Sequence, residues 1–290
     1  MLTKDASRSL RALVAAGLVL VQAVLPCVVW AQAAAPSAGA APAAATASGF
    51  LSSVTGVVFI RKANGEQVAA KPGDVFEPGS TIVAGANGQV GLLFADGQII
   101  GLSANSTLRV DAYRFDASDI KASRAAIVLV SGAMTVVTGV IGNENPQGLS
   151  IAAGNMTLSV AGKDATAFGI EVNAATQAGS VAVTVGALLI RTPAGPAITV
   201  GAEQFVRLQA GVATAPPQPL SAAPAALQAL AGLARSFAQA ETAPVDVQAA
   251  AIKLALANLP PAAAGPAGTT PVFLPPVTPG AAGGCVGSPC

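Results

Sequence analysis

The residues in this sequence best suited to chemistry are carboxylates in its first half. They are Asp74, Glu77, Asp96, Asp111, Asp116 and Asp119. Two carboxylates facing each other across a cleft can hydrolyse a glycosidic bond, and alternating Asp and Asn with a bidentate Glu can bind calcium. Asp74 and Asp96, however, flank glycines in turns, where the backbone alone favours aspartate. Asp111, Asp116 and Asp119 lie in one segment that lacks the bidentate Glu of a calcium loop. We therefore expect no catalytic residue, no metal site and no cofactor.

Composition excludes several other kinds of chemistry. The 290 residues contain no His, which removes Ser-His-Asp and Cys-His catalysis and every zinc site that uses imidazole. No Gly-x-x-x-x-Gly-Lys-Ser/Thr phosphate loop occurs. With a net charge of +1 and 4% aromatic residues, nucleic acid is an unsuitable partner. The composition indicates a binding or structural protein rather than an enzyme.

The most distinctive polar segment is DAYRFDASDIKASR, residues 111–124. Charges of both signs at this density are typical of a solvated loop, and that interpretation stays open. The alternative is that the segment contacts a protein partner. Under that hypothesis the contact residues are Asp111, Arg114, Asp116, Asp119, Lys121 and Arg124.

The N-terminus has the pattern of a secretory signal. A basic stretch with Lys4, Arg8 and Arg11 precedes the apolar run Ala12 to Val29, and Ala31-Gln32-Ala33 follows. We expect cleavage after residue 33 and a periplasmic or secreted protein of a Gram-negative cell. Removal of three basic residues and Asp5 would leave 12 basic and 13 acidic residues, from 15 and 14. The alternative is an uncleaved inner-membrane anchor, since this run of 18 residues, apolar apart from Gln22, is just long enough to span a bilayer.

Two cysteines remain after such cleavage, because Cys27 lies in the signal. Cys285 and Cys290 enclose the sequence VGSP at the end of the chain. An oxidising compartment would permit a small disulfide between them. Free thiols or intermolecular pairing are the alternatives, and the sequence does not decide among them.

Short apolar runs separated by Gly, Asn, Asp and Pro predict a β domain over residues 49–209, after an Ala/Pro linker at 34–48. Asn-Gly and Asp-Gly pairs mark several of its turns. We expect an all-β fold, an elongated stack of short strands that is either solenoid-like or a sandwich. The predicted strands are Ser53–Arg61, Gln67–Ala70, Thr81–Ala84, Gln89–Phe94, Gln98–Leu102, Thr107–Tyr113, Ala126–Val130, Ala133–Thr138, Leu149–Ala152, Met156–Val160, Phe168–Val172, Ser180–Val185, Ala187–Thr192, Ala197–Val200 and Gln204–Leu208.

An internal echo indicates a repeated unit. VTGVVFIR and VTVGALLIR are each followed by a Gly-containing turn and a second strand, with the same step from Arg61 to Val68 and from Arg191 to Ile198. The segment LVSGAMTVVTGVIG in the middle of the domain repeats this pattern more loosely.

Residues 210–259 are rich in Ala and contain two candidate helices. Leu227, Leu230, Leu233 and Phe237 recur at helical spacing in the first, and Ile252, Leu256 and Leu259 do so in the second. One face of each could pack on the β domain, but we favour marginal helices in a tether. Residues 260–290 form a Pro/Gly tail that we expect to be disordered.

The segment from Gly56 to Val110 resembles the FecR domain, named for iron-dicitrate signalling regulators of Gram-negative bacteria. The resemblance lies in the order of a hairpin, Gly73-Asp74, Pro-Gly-x-x-Ile, an Asn-Gly turn, a strand ending in Phe-x-Asp-Gly, and Asn-Ser. It extends over most of residues 50–208. The family's Val-Arg-Gly-Thr-like segment is altered here to Val160-Ala161-Gly162-Lys163.

The resemblance implies an exported FecR-like domain that acts by binding a protein or ligand in the envelope or medium. The regulators have a cytoplasmic segment that engages a sigma factor, and about 11 residues before the apolar run are too few for it. We therefore expect no anti-sigma half. Two alternatives remain: a structural envelope protein with a β spacer and a tethering tail, and a membrane-anchored signalling protein.

Overall fold

The computed structural model of the chain describes residues 47–176 and 178–240, all within one compact unit that begins at Ala44. The predicted signal segment, the second candidate helix, the Pro/Gly tail and all three cysteines lie outside the described residues. The disulfide between Cys285 and Cys290 therefore stays a prediction.

The described chain is mainly β, with eighteen strands in two hydrogen-bonded layers that share one long strand, β9 (Arg124–Val137). The first layer contains β1 (Gly49–Thr55), β4 (Val75–Phe76), β6 (Gln89–Phe94), β7 (Ile99–Leu102), β12 (Ala167–Asn173), β13 (Ala178–Val185), β16 (Gln204–Gln209), β17 (Val212–Ala213) and β18 (Gln218–Pro219). The second contains β2 (Val58–Arg61), β3 (Gln67–Ala69), β5 (Thr81–Ala84), β8 (Ser106–Arg114), β10 (Leu149–Ala153), β11 (Met156–Val160), β14 (Ala187–Thr192) and β15 (Gly195–Gly201).

The strand order places β9 at the centre of both layers. In the first layer the order is β4–β1–β6–β7–β9–β12–β13–β16, and in the second it is β3–β2–β5–β8–β9–β10–β11–β14–β15. Only β9 and β10 run parallel among the described strands. Their connection contains the short helix α1 (Val140–Glu144) and a single 3₁₀ turn.

One apolar core lies between the layers. Strands alternate between inward and outward residues, as a strand must when one face is buried. In β2, for example, Val58 and Ile60 are buried in the core while Arg61 is exposed. The same core cluster contains Leu92 and Phe168 of the first layer, so the two layers are joined by side-chain packing as well as by β9.

The outer face of the first layer is covered by helix α2 (Ala225–Ala240), which contacts β9, β12 and β13. Leu227, Leu230, Leu233 and Phe237 are all buried. The helical spacing of these residues correctly predicted the helix, but our preference for a loose tether was wrong for this segment. The apolar stripe of α2 packs on outward residues of the sheet such as Leu93 and Ile99. We call the first layer, on which α2 packs, the covered layer, and the second layer the open layer.

The predicted strands correspond closely to the observed ones, with two kinds of difference. The predicted strand Ser53–Arg61 is divided at Gly56 into β1 and β2, and the two strands predicted on either side of Gly132 form the continuous β9. The two-residue strands β4, β17 and β18 were missed, because so short a stretch carries no alternation to detect.

The internal echo corresponds to a repeated geometry. In the first repeat the chain leaves β1 of the covered layer, turns at Gly56 with φ +67°, and enters β2 of the open layer. In the second it leaves β13 of the covered layer, turns at Gly186 with φ +75°, and enters β14 of the open layer. The register of the following hairpins is also the same, since Ile60 lies opposite Val68 and Ile190 lies opposite Ile198.

Gly132 makes the third such crossing, within β9. Its φ is +90°, and a Cβ atom there would lie 2.1 Å from Ser106 Oγ and 2.6 Å from Ser106 Cα. A larger residue at this position would both clash with Ser106 and adopt an unfavourable left-handed backbone conformation.

We predict that Gly132→Ala lowers the free energy of unfolding by about 3 kcal/mol or more, the sum of left-handed strain and overpacking. The matched control is Gly65→Ala, because Gly65 has φ +86° but no atom within 4 Å of the position that a Cβ would take. The control should lose only about 1 kcal/mol. Urea unfolding of both variants measures the difference, and equal losses would show that the Ser106 contact does not matter.

Candidate functional site

The mixed-charge segment predicted to contact a partner forms the tip of the β8–β9 hairpin. Asp111 and Arg114 lie at the end of β8, and Arg124 begins β9. A single 3₁₀ turn, Ile120–Ala122, lies between the strands. Arg114 and Arg124 are register partners on adjacent strands. The structure thus brings these two predicted contact residues side by side, both exposed.

Two of the predicted contact residues hold the loop together instead of projecting freely. Asp116 Oδ1 accepts hydrogen bonds from Ser118 N at 2.9 Å and Ser118 Oγ at 2.6 Å, and these bonds, with a smaller effect of Arg114, lower the pKa of the Asp116 carboxyl. Asp119 Oδ1 accepts from Ala122 N at 3.3 Å. Buried Ser123 donates its Oγ proton within the same loop and accepts from Asp116 N at 2.9 Å.

The loop is also held from outside by Asn145, which follows α1. Its side-chain amide nitrogen lies 3.2, 3.3 and 3.0 Å from the carbonyl oxygens of Ile120, Lys121 and Ser123. The backbone of the loop is therefore fixed, while Lys121 remains exposed.

Asp111 is engaged by Arg109 two residues earlier on β8. The Arg109 guanidinium donates to both carboxylate oxygens, with Nη2 at 3.0 Å from Oδ2. The hydrogen bond from Arg109 lowers the pKa of the Asp111 carboxyl. Both side chains are about half exposed, at 47% and 40%, so the pair contributes little to stability.

Beneath the hairpin lies a buried polar pair that the sequence analysis did not identify as such. Asp96, in the turn between β6 and β7, is 2% exposed. The Tyr113 hydroxyl donates to Asp96 Oδ1 at 3.0 Å and accepts from Asp96 N at 2.8 Å. Asp96 Oδ1 also accepts from Gln98 N at 3.3 Å, and Oδ2 accepts from Ile141 N at 3.2 Å.

The Asp-Gly turn correctly suggested a structural role for Asp96, but its role extends beyond the turn. Through Tyr113 it fixes the end of β8, and through Ile141 it fixes the start of α1. Burial raises the pKa of the Asp96 carboxyl, only partly offset by these hydrogen bonds. Burial, together with the charge of Asp96, also raises the pKa of Tyr113.

Aromatic rings continue this contact into the core. The Tyr113 ring lies 5.4 Å from that of Phe94, and Phe94 packs edge to face against Phe76 at 5.0 Å. The chain has a single Tyr. Regular alternation would place Tyr113 on the same outward face as Asp111. The register shift between Val110 and Ala112 turns its ring inward instead, so no sequence signal indicated this contact.

The described residues offer no site for a metal ion, since no three of their His, Cys, Asp or Glu side chains come together. An open depression of 310 Å³ lies between the β2–β3 hairpin and residues 71–75, with Lys62, Lys71 and Asp74 among its lining residues. Asp74 is occupied in its turn, where Oδ2 accepts from Lys71 N at 2.8 Å. No helix in the described part of the chain is long and apolar enough to span a membrane.

We predict that Tyr113→Phe lowers the free energy of unfolding by about 1–3 kcal/mol, because it leaves buried Asp96 N without its acceptor. It also removes a hydrogen bond that favours the ionised Asp96, so the raised pKa of this carboxyl should rise further. A native pKa above the unfolded value means that the native state holds the proton more tightly. The contribution of Asp96 to stability is then greatest below the unfolded pKa and falls as pH rises through the native one.

Urea unfolding between pH 3 and pH 7 tests this expectation. In the Tyr113→Phe variant, the loss of stability with rising pH should continue to a higher pH than in the unmodified protein. Asp96→Asn, which has no proton to lose, should remove this part of the pH dependence. An unchanged pH profile in both variants would contradict the assignment to Asp96.

Comparison with known proteins confirms the resemblance to the FecR family, over a shorter segment than the residues 50–208 that the sequence indicated. The family described as FecR protein matches residues 80–189, from the start of β5 to β14. No curated protein matches the chain. Among solved structures, two crystal structures of a protein from Parabacteroides distasonis, named "putative anti-sigma factor", are similar at 11% identity with a TM-score of 0.37. They match 48% of this chain, and this chain spans 59% of theirs.

A cell surface anchoring domain matches at 31% identity over 21% of this chain and 82% of its own length, with a TM-score of 0.21. The FecR family model matches a segment that lies wholly within the β domain. That match includes β9, the crossing at Gly132 and the whole β8–β9 hairpin with Asp96 and Tyr113. Residues 80–189 of this chain therefore match the FecR family, as the resemblance predicted.

Proposed function

We propose that this protein is an exported, non-enzymatic FecR-domain protein that binds a protein partner in the cell envelope or medium. The domain supports a role in signalling or binding rather than catalysis, and the pattern of residues 1–33 supports export. The absence of His from the sequence is consistent with a role that does not depend on acid–base chemistry near neutral pH.

The observation that carries this proposal is the fixed hairpin tip. Asn145 binds three carbonyl groups of the loop, and Asp116 and Asp119 bind its backbone from within. A loop already held in one conformation loses little entropy on binding. It presents exposed Arg114, Lys121 and Arg124, so we propose these cations as the contacts with the partner and the two aspartates as their support.

We predict that the variant Arg114→Gln/Lys121→Gln/Arg124→Gln abolishes co-purification of the partner from the envelope fraction without lowering thermal stability. The variant leaves Tyr113, Asp116, Asp119 and Ser123 in place, so the loop should keep its conformation. The matched control is Lys62→Gln/Lys71→Gln/Lys163→Gln, which removes the same charge at exposed positions elsewhere.

Affinity purification followed by mass spectrometry compares the three proteins. Retention of the same partner by the hairpin variant would contradict this contact. Loss of the partner in the control as well would show that only net charge matters.

A second candidate is signalling by a membrane-anchored protein. The FecR domain and the apolar run from Ala12 to Val29 support it together, because an uncleaved segment of that length could serve as an anchor.

We predict that the intact mass of the protein after osmotic-shock fractionation corresponds to a chain that begins at or near Ala34. Treatment with reductant should add two daltons if Cys285 and Cys290 are paired. An uncleaved chain in the inner-membrane fraction would favour membrane signalling instead, and an unchanged mass on reduction would contradict the disulfide.

A further inference from the structure

The charges of the described strands are distributed unequally between the two layers. The strands of the open layer, with the first half of β9, contain Arg61, Arg109, Arg114, Arg124 and Arg191, no Lys, and Asp111 as their one carboxylate. The strands of the covered layer contain only Glu171 and Arg207. The charged strands thus belong almost entirely to the layer that α2 does not cover.

Three of these arginines lie in one row across the open layer. Successive register partners run in the order Arg61, Thr81, Arg109, Val128, Ala152, Thr157 and Arg191. Strands lie about 4.8 Å apart, so Arg61 and Arg109 are separated by about 10 Å and Arg109 and Arg191 by about 19 Å. We call Arg61, Arg109 and Arg191 the arginine row.

The row lies on the outer face. Its arginines are exposed, while their strand neighbours Ile60, Leu108 and Ile190 are buried in the core. Arg114 and Arg124 lie on the same face as direct cross-strand partners. Like charges in that position destabilise a sheet, so the fold retains them at a cost.

The rest of the face is suited to contact with another protein. Half-buried Val128 lies in the row between Arg109 and Arg191. Phe59, Val83 and Leu189, also half-buried, lie two residues along their strands from the row, together with threonines and serines. Protein interfaces are enriched in Arg and depleted in Lys, because the planar guanidinium binds carboxylates with two hydrogen bonds. Cations that serve only to keep a sheet soluble are most often lysines, which are absent from these strands.

We propose that the outer face of the open layer docks an acidic surface of a partner protein, whose carboxylates bind the arginine row and the pair Arg114 and Arg124. This inference rests on the proposed binding function and names its surface. Nine strands about 4.8 Å apart, each with about three outward residues spaced about 6.7 Å along the strand, give a face of about 850 Å². A standard interface takes about 800 Å² from each partner. Arg109 would exchange Asp111 for a partner carboxylate at little cost, since that ion pair is exposed.

The test uses polyglutamate of about 20 residues, immobilised, as a probe for an acidic polypeptide. The full chain should bind it with an affinity that falls as salt rises. Arg61→Gln/Arg109→Gln/Arg191→Gln should bind about tenfold more weakly or worse, because each exposed ion pair contributes up to about fivefold. The control Lys62→Gln/Lys71→Gln/Lys163→Gln should stay within about twofold of the unmodified protein. Thermal unfolding of both variants checks that they remain folded.

Three outcomes would overturn the inference. The first is an equal loss of affinity in the lysine control, which would mean attraction by net charge alone. The second is binding to a sulfated polysaccharide or to phosphatidylglycerol vesicles but not to polyglutamate, which would mean another class of ligand. The third is a dimer in native mass spectrometry that only the arginine-row variant loses, which would make a second copy of this chain the occupant.

The proposed function can fail independently. If the partner still co-purifies with the arginine-row variant but not with the hairpin variant, the binding function stands and this surface is wrong. If neither variant changes the co-purifying proteins, both proposals are contradicted.

Discussion

The two layers of this protein are held in place by a strand that belongs to both of them. β9 pairs with β8 and β10 in the open layer and, beyond Gly132, with β7 and β12 in the covered layer. The crossing requires a positive φ and space for a chain without a Cβ, since the Gly132 backbone approaches Ser106 closely. Every strand before β9 is connected to every strand after it through this one segment, together with the shared core.

The end of the molecule that contains the β8–β9 hairpin is organised around a second constraint, the buried carboxylate of Asp96. Its hydrogen bonds tie together three segments that are distant in sequence: the β6–β7 turn, the end of β8 and the start of α1. α1 leads directly to Asn145, which holds the hairpin loop. The exposed cations of the loop are therefore positioned by a chain of hydrogen bonds that begins at buried Asp96 and ends at Asn145.

Much of this arrangement is predictable from the sequence, and the remainder has physical reasons for being hidden. Alternating apolar residues predicted most strand positions, and the spacing of Leu227, Leu230 and Phe237 predicted helix α2. The echo around Gly56 and Gly186 predicted a repeated unit, but not that each unit crosses between the layers. Alternation does not reveal which layer a strand joins, because pairing partners are set by distant segments. The arginine row is hidden for the same reason, since Arg61, Arg109 and Arg191 are adjacent only after the strands have paired.

The central position of β9 also has a consequence for the order of folding. Because the chain is synthesised from its N-terminus, β1 to β8 can pair among themselves and then with one edge of β9 before the later strands are available. The other edge stays unpaired until β10 and β12 are available. During that interval a half-built molecule presents an apolar strand edge, with Val128, Met134 and Val136 along it, that a second chain could occupy in place of its own C-terminal half. Exchange of halves between copies is thus the characteristic misassembly to which this topology is exposed.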